Sequence, residues 1–144
     1  MTDVGAPLGA NAIRILLPAF TLAIASTGTP ACPTKLEGAQ TVESTRHTLA
    51  YRTNPARLAV GKPFTVDLVI CPKDPQTRVA GIEVDARMPE HRHGMNYKAT
   101  VTPQADGRYR AEGLMFHMPG RWEFMFDVRD TQGVEHLTHD TTIR

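Results

Sequence analysis

The chain has 144 residues, 16 Lys and Arg against 15 Asp and Glu, a formal net charge of +1 and two cysteines. That length suits one domain with a core large enough to fold without staples. A balance this near neutral, with no basic run, argues against a nucleic-acid binder, and there is no heptad or solenoid-length repeat.

The first elements in chain order are not part of a fold. "MTDVGAPLGANAIR" is a polar lead ending in Arg14, "ILLPAFTLAIA" is a short apolar run, and "AIA" at 23–25 fits a small-x-small cleavage site. Together they read as a secretory signal peptide. The run is too short to span a bilayer comfortably, and Pro18 in its middle disfavours a buried helix. Residues 1–31 are therefore expected to be a signal peptide and short lead, cut near 25–31, with a single domain over 32–144. The expected location is periplasmic or secreted, with no membrane span once the signal is removed. "TPAC" at 29–32 offers an alternative, a lipid anchor on Cys32, although Thr29 stands where a lipobox wants a bulky aliphatic residue.

Export sets the chemistry of the cysteines. Cys32 and Cys71 both follow the signal, and in an oxidising compartment an isolated pair usually bridges. A disulfide is the expectation, and lipidation of Cys32 would exclude it.

From residue 44 onward the pattern is alternation with period two. Leu49 and Tyr51 share a face, as do Phe64, Val66, Leu68 and Ile70. Ile82, Val84 and Ala86 alternate against Glu83, Asp85 and Arg87, and Met88 continues their parity. "RWEFMFDV" gathers Trp122, Phe124, Phe126 and Val128, and "VEHLTHDTTI" closes the chain as a weaker strand. The clusters "NPA", "VGKP", "CPKDPQ", "PQADG", "MPG" and "DTQG" are turn chemistry. Seven to eight short strands at this spacing predict an all-β antiparallel β-sandwich. Residues 33–43 read as a lead ordered only on contact. His47, His136 and His139 read as surface residues.

Two knots carry candidate chemistry. "MPEHRHGM" at 88–95 places His91, His93 and Met95 at alternate positions, and "LMFHMPG" at 114–120 holds Met115, His117 and Met118. Between them lies a hairpin. With its turn centred on Ala105, His93 faces His117 and Met95 faces Met115, about 4.5–5.5 Å apart at Cβ. Centred on Asp106, Met95 faces His117 instead. Gly113 marks a bulge that would reverse the faces of Met115, His117 and Met118, and would reconcile Leu114 and Phe116 with the core parity of Tyr97, Ala99, Val101, Tyr109 and Ala111. Either Met115 or Met118 could then point at the site.

Imidazole with thioether is a mixed, fairly soft donor set. It favours Cu(I), and histidine allows Cu(II) as well. A blue-copper site would need a Cys thiolate beside two histidines, and a cysteine zinc site needs more cysteines than the chain has. No nucleophile, base and orienter are spaced for catalysis, so an enzyme is not expected. Taken singly, each of these residues has a plainer reading. His91 and His93 beside Arg92 can be a solvated loop, and methionines commonly fill core gaps.

"VDARMPEHRHGMNY" and "GLMFHMPGRWEFMFDV" together resemble the YtkA-like family of small exported domains, itself similar to the FixH-like group. The resemblance implies an immunoglobulin-like sandwich outside the cytoplasm with a suspected role in copper handling. It points to His93, Gly94, Met95, Met118, Pro119, Gly120 and Trp122; His91 and His117 are additions of this chain. The resulting expectation is an exported copper carrier or chaperone, with His91, His93, Met95, Met115, His117 and Met118 as metal ligands. Its partners would be the ion and another envelope copper protein. The alternative is an envelope protein-interaction module whose His/Met-rich loop is structural.

Overall fold

The computed structural model describes residues 36–144, together with Met1, Thr2 and Gly5. The expected signal peptide, its cleavage site and Cys32 lie outside the described residues. Among the described residues no helix is long and apolar enough to cross a membrane.

The described chain is all-β and forms nine strands. They are β1 (Gln40–Glu43), β2 (His47–Asn54), β3 (Pro63–Pro72), β4 (Val79–Met88), β5 (His93–Gly94), β6 (Thr100–Pro103), β7 (Arg108–Met115), β8 (Gly120–Asp130) and β9 (Gly133–Ile143). All pairings are antiparallel, in a five-stranded sheet ordered β1-β2-β3-β7-β6 and a four-stranded sheet ordered β5-β4-β8-β9. The count exceeds seven to eight for two reasons. Part of the segment read as a contact-ordered lead pairs with β2 as β1, and the first histidine knot contributes the two-residue β5.

Period-two alternation decides which side chains meet between the sheets. Leu49, Tyr51, Phe64, Val66, Leu68 and Ile70 face Ile82, Val84, Ala86, Trp122, Phe124, Phe126 and Val128 in one continuous core. Phe116 joins the layers, with its ring centre 4.9 Å from Phe64 and 4.7 Å from Trp122. Both Phe116 and Trp122 are fully buried.

The bulge lies where Gly113 predicts it. Phe64 pairs with Leu114, but Val66 pairs with Ala111, so Thr65 alone faces Glu112 and Gly113. Gly113 has φ +83°, a conformation open to glycine and strained for residues with a Cβ. The slip lets Ala111 point inward before it and Leu114 and Phe116 after it, all three at 0 % exposure.

Two parity readings fail. Tyr97 is half exposed rather than core, because pairing in the β6–β7 hairpin reaches back only to Thr100. His47 is not a surface residue. It is fully buried, and its Nδ1 lies 2.7 Å from Glu135 Oε2. Glu135 also accepts hydrogen bonds from Ser44 Oγ (2.6 Å), Thr45 Oγ1 (2.8 Å) and the Arg46 amide (3.3 Å). Asp130 completes this cluster, 3.1 Å from Arg46 Nε and 3.5 Å from His47 Nε2. The turn between β1 and β2 is thus clamped to the β8–β9 hairpin of the other sheet. Burial alone would push the Glu135 carboxyl up, but the hydrogen bonds from Ser44, His47, Thr45 and the Arg46 amide outweigh it and hold it at about 2. His139 is half-buried, its Nδ1 2.5 Å from the Tyr51 hydroxyl, whereas His136 lies on the surface as expected. Burial pushes the Tyr51 phenol up to about 12, so Tyr51 donates to His139.

Candidate metal centre

The two knots meet, but not across the hairpin. Thr100 pairs with Glu112 and Val101 with Ala111, which centres the β6–β7 turn on Asp106 rather than Ala105. That ladder stops well short of the histidines. His93 instead pairs with Met88, and Gly94 with Arg87, at the edge of the opposite sheet. The Met95 amide continues this pairing by donating to the Ala86 carbonyl at 3.1 Å. The second knot leaves the end of β7 in the first sheet. The histidines therefore converge across one end of the sandwich, each brought by a different sheet.

The result is an imidazole pair over an indole. The rings of His93 and His117 have centres 5.1 Å apart and planes tilted by 36°. Both stand edge-on to Trp122, at 6.0 Å and 72° for His93 and 5.3 Å and 84° for His117. A metal–nitrogen bond is about 2.0 Å, and a ring nitrogen lies roughly 1 Å from its ring centre. Two imidazoles meeting on one ion at about 110° would then have centres about 5 Å apart. The observed separation fits that geometry.

Hydrogen bonding leaves these rings short of partners. His93 Nδ1 lies 3.1 Å from the Gly94 carbonyl, which can accept only if Nδ1 carries the proton. That tautomer frees the Nε2 lone pair for a ligand. His117 Nδ1 is buried and has no hydrogen-bond partner among the described residues. Neither ring is hydrogen-bonded or ion-paired to a carboxylate among the described residues. Glu90, the nearest acid in sequence, is taken by Arg121 at 2.9 Å. An unsatisfied buried nitrogen is costly in an apolar wall, and a bound cation is one way to satisfy it.

The remaining candidates divide. His91 lies in the turn joining β4 to β5, where its amide donates to the Met88 carbonyl at 3.2 Å and Arg92 takes φ +54°. The turn breaks the extended run that would have put His91, His93 and Met95 on one side. The His91 ring is exposed, 5.8 Å from His93. Met95 and Met118 are partly buried and pack against the core at this end. Met115 precedes the inward-facing Phe116 and follows the inward-facing Leu114, so it occupies the opposite parity, paired with Pro63. Among the described residues no three His, Cys, Asp or Glu side chains are grouped to hold a metal ion. Any ion here would depend on two imidazoles with thioether help.

Trp122 and Gly120 were not among the expected ligands, yet both shape the site. The Trp122 indole N–H donates to the Met118 carbonyl at 3.1 Å and so fixes the loop that carries Met118. Gly120 has φ +129°, and a Cβ there would stand 2.6 Å from the Met88 Cε. The signal for both was the "MPGRW" spacing itself: a carbonyl four residues before the indole, with a glycine between them.

The family model described as YtkA-like matches residues 41–127, more than half of the chain, and the chain belongs to that family. No curated protein and no solved structure matches it.

Proposed function

We propose that this member of the YtkA-like family is an exported copper carrier holding the ion between His93 and His117, with thioether donation from Met95 and Met118. The observation that carries the reading is the imidazole pair itself: 5.1 Å between centres and, among the described residues, no carboxylate partner and no hydrogen bond to the buried His117 Nδ1. Two neutral nitrogens with thioethers favour Cu(I) over harder ions. A site at the end of a sandwich, with half-buried ligands, suits an ion that must be taken up and handed on.

Export and oxidation belong to the same proposal. Cys71 is buried in a small cluster with Ala50 and Val69, closed by Leu36 and Ala39. Cys32 lies four residues before Leu36, within chain reach of this cluster at about 3.5 Å per residue. A Cys32–Cys71 disulfide would tie the lead to β3, and a mass change on reduction and alkylation of exported protein would reveal it.

The decisive experiment is copper titration of mature protein purified without a His tag. Retention of roughly one equivalent through dialysis, with quenching of Trp122, is expected. If neither Cu(I) nor Cu(II) is retained, the carrier reading fails. The surviving reading would be a protein-interaction module, which the half-exposed Tyr97 beside this loop would favour.

A further inference from the structure

The turn that carries His91 is held in place, but its ring is not. The His91 amide closes the turn on the Met88 carbonyl at 3.2 Å, and Glu90 ties it to β8 through Arg121 at 2.9 Å. Among the described residues the His91 ring makes no hydrogen bond or ion pair, and its one ring contact is with His93, 5.8 Å between centres. The three imidazoles therefore run inward in order. His91 is exposed, His93 is half-buried, and His117 lies beyond it at 5.1 Å with its Nδ1 sealed from solvent. They do not close on one point, since among the described residues no three such side chains are grouped to hold an ion. They form two overlapping pairs that share His93. With Nδ1 committed to the Gly94 carbonyl, His93 has only Nε2 to give, so it holds one ion at a time, with His117 or with His91 as the second imidazole. Taking each ring centre about 3 Å from the ion, the inner pair subtends roughly 110–115° and the outer pair roughly 140–150°. The narrower angle leaves room for the thioethers of Met95 and Met118, and the wider one suits two ligands alone.

We infer that His91 is the exchange ligand of this site: copper enters and leaves through an outer pairing of His91 with His93 and is stored by the inner pairing of His93 with His117. This role rests on the carrier reading above. In the step, the bond from copper to His117 breaks as a bond to the neutral His91 nitrogen forms. His93 keeps its bond throughout, copper keeps its oxidation state, and a proton carried by His91 goes to solvent. The ion is never left on one imidazole alone, which limits the cost of stripping its ligands in a half-dry site. The exposed ring then presents it to an incoming ligand. A group that acts in this way lowers the barrier in both directions and leaves the equilibrium nearly where it was.

The test uses mature protein without a His tag, Cu(I), and a methionine-rich acceptor peptide in excess. Trp122 is the only tryptophan and stands against the inner pair, so its fluorescence reports copper held there. His91→Ala should slow both loading and release at least about tenfold while equilibrium affinity changes by less than about threefold. His91→Phe keeps a ring without a nitrogen and should be as slow. His91→Met restores a soft donor and should recover part of the rate for Cu(I). In a His117→Phe background weak binding to the outer pair should remain, and adding His91→Ala should remove it. Parental rates in His91→Ala, or release faster than in His91→Phe, would make the ring a bystander or a lid; either overturns the exchange role and leaves the carrier reading standing. Affinity lost along with rate makes His91 a resident ligand and overturns it too, as does copper binding in the His117→Phe background that His91→Ala leaves unchanged. A parent chain that retains no copper overturns the carrier reading and this role with it.

Discussion

Two clusters at different places on this sandwich hold buried or half-buried histidine, and their surroundings could hardly differ more. His47 is enclosed by charge. Glu135 and Asp130 flank its ring, Arg46 stands behind Asp130, and Ser44 and Thr45 fill the remaining acceptor positions of Glu135. His93 and His117 stand edge-on to Trp122, which Phe116 backs, and His117 Nδ1 has no hydrogen-bond partner among the described residues. In the first, Glu135 takes His47 Nδ1 and Asp130 stands 3.5 Å from Nε2, although Nε2 makes no hydrogen bond among the described residues. In the second, no carboxylate among the described residues meets either ring, and each imidazole faces another. Neither residue type nor an unmet nitrogen separates the two clusters; the absence of carboxylate partners does.

The comparison breaks most visibly through stability. His47→Ala would leave Asp130 buried with fewer partners and Glu135 without its imidazole. Loss of one member of a buried ionic cluster costs about 3–5 kcal/mol. Chemical denaturation should show that loss, while copper bound per folded chain stays unchanged. A small effect on stability would mean the clamp is not what joins the sheets at this end.

The same cluster has a pH signature. The Glu135 carboxyl is held at about 2, against its ordinary value of 4.5. A depressed carboxyl contributes stability that is complete above the unfolded-state value and is lost as pH falls towards the folded-state value. The advantage of the parent over Glu135→Gln should therefore be full above about pH 4.5 and shrink towards about pH 2. A gap that does not vary across that window would mean the hydrogen bonds do not hold the carboxylate in its charged form.

At the other cluster the signs should invert. Replacing His93 or His117 by alanine should reduce copper affinity by more than the roughly 100-fold that loss of an outer-shell partner costs. His117→Phe keeps a ring against Trp122 and removes the orphaned nitrogen. It should abolish tight copper binding yet raise stability by about 1 kcal/mol, since a buried unsatisfied polar atom costs about 1–3 kcal/mol. A destabilised His117→Phe protein would show that His117 is structural after all.

Much of the frame could be read in advance because its causes are local. Alternation in "PFTVDLVIC" and "RWEFMFDV" records which residues lie between the sheets, and Gly113 advertises the slip that returns Leu114 and Phe116 to the core. The meeting of His93 with His117 was expected, but through a hairpin ladder that does not extend that far. Whether "HRHGM" pairs forward with β7 or backward with β4 depends on the tight turn at Arg92, and nothing in its residues marks that choice. His47 was misread for a related reason: its partner Glu135 is 88 residues away, and "STRHTL" carries no sign that the turn is clamped.

Gly120 offers a smaller effect that links core and site. A Cβ there would press on Met88 Cε at 2.6 Å in a backbone conformation that disfavours any side chain. Gly120→Ala should cost about 1–3 kcal/mol through overpacking and backbone strain. It should also weaken copper binding, because the loop from Met118 to Trp122 must shift. Stability lost with copper affinity intact would separate the loop from the metal site.

The smallest effects come from the methionines, and they decide how the site is completed. Met95 and Met118 pack at the same end as the imidazole pair, and Met118 is held there by the Trp122 hydrogen bond to its carbonyl. Met95→Leu and Met118→Leu keep apolar volume and should cost less than about 1.5 kcal/mol of stability. Each removes a thioether, so each should weaken Cu(I) more than Cu(II), because softness matters most for the monovalent ion. Met115 has the opposite parity, on the far side of β7 from Phe116. Met115→Leu should therefore change neither Cu(I) affinity nor stability measurably. If it weakens Cu(I) as much as Met118→Leu does, the ion lies on the outer face of β7, and the indole-floored pair of His93 and His117 is not where copper is held.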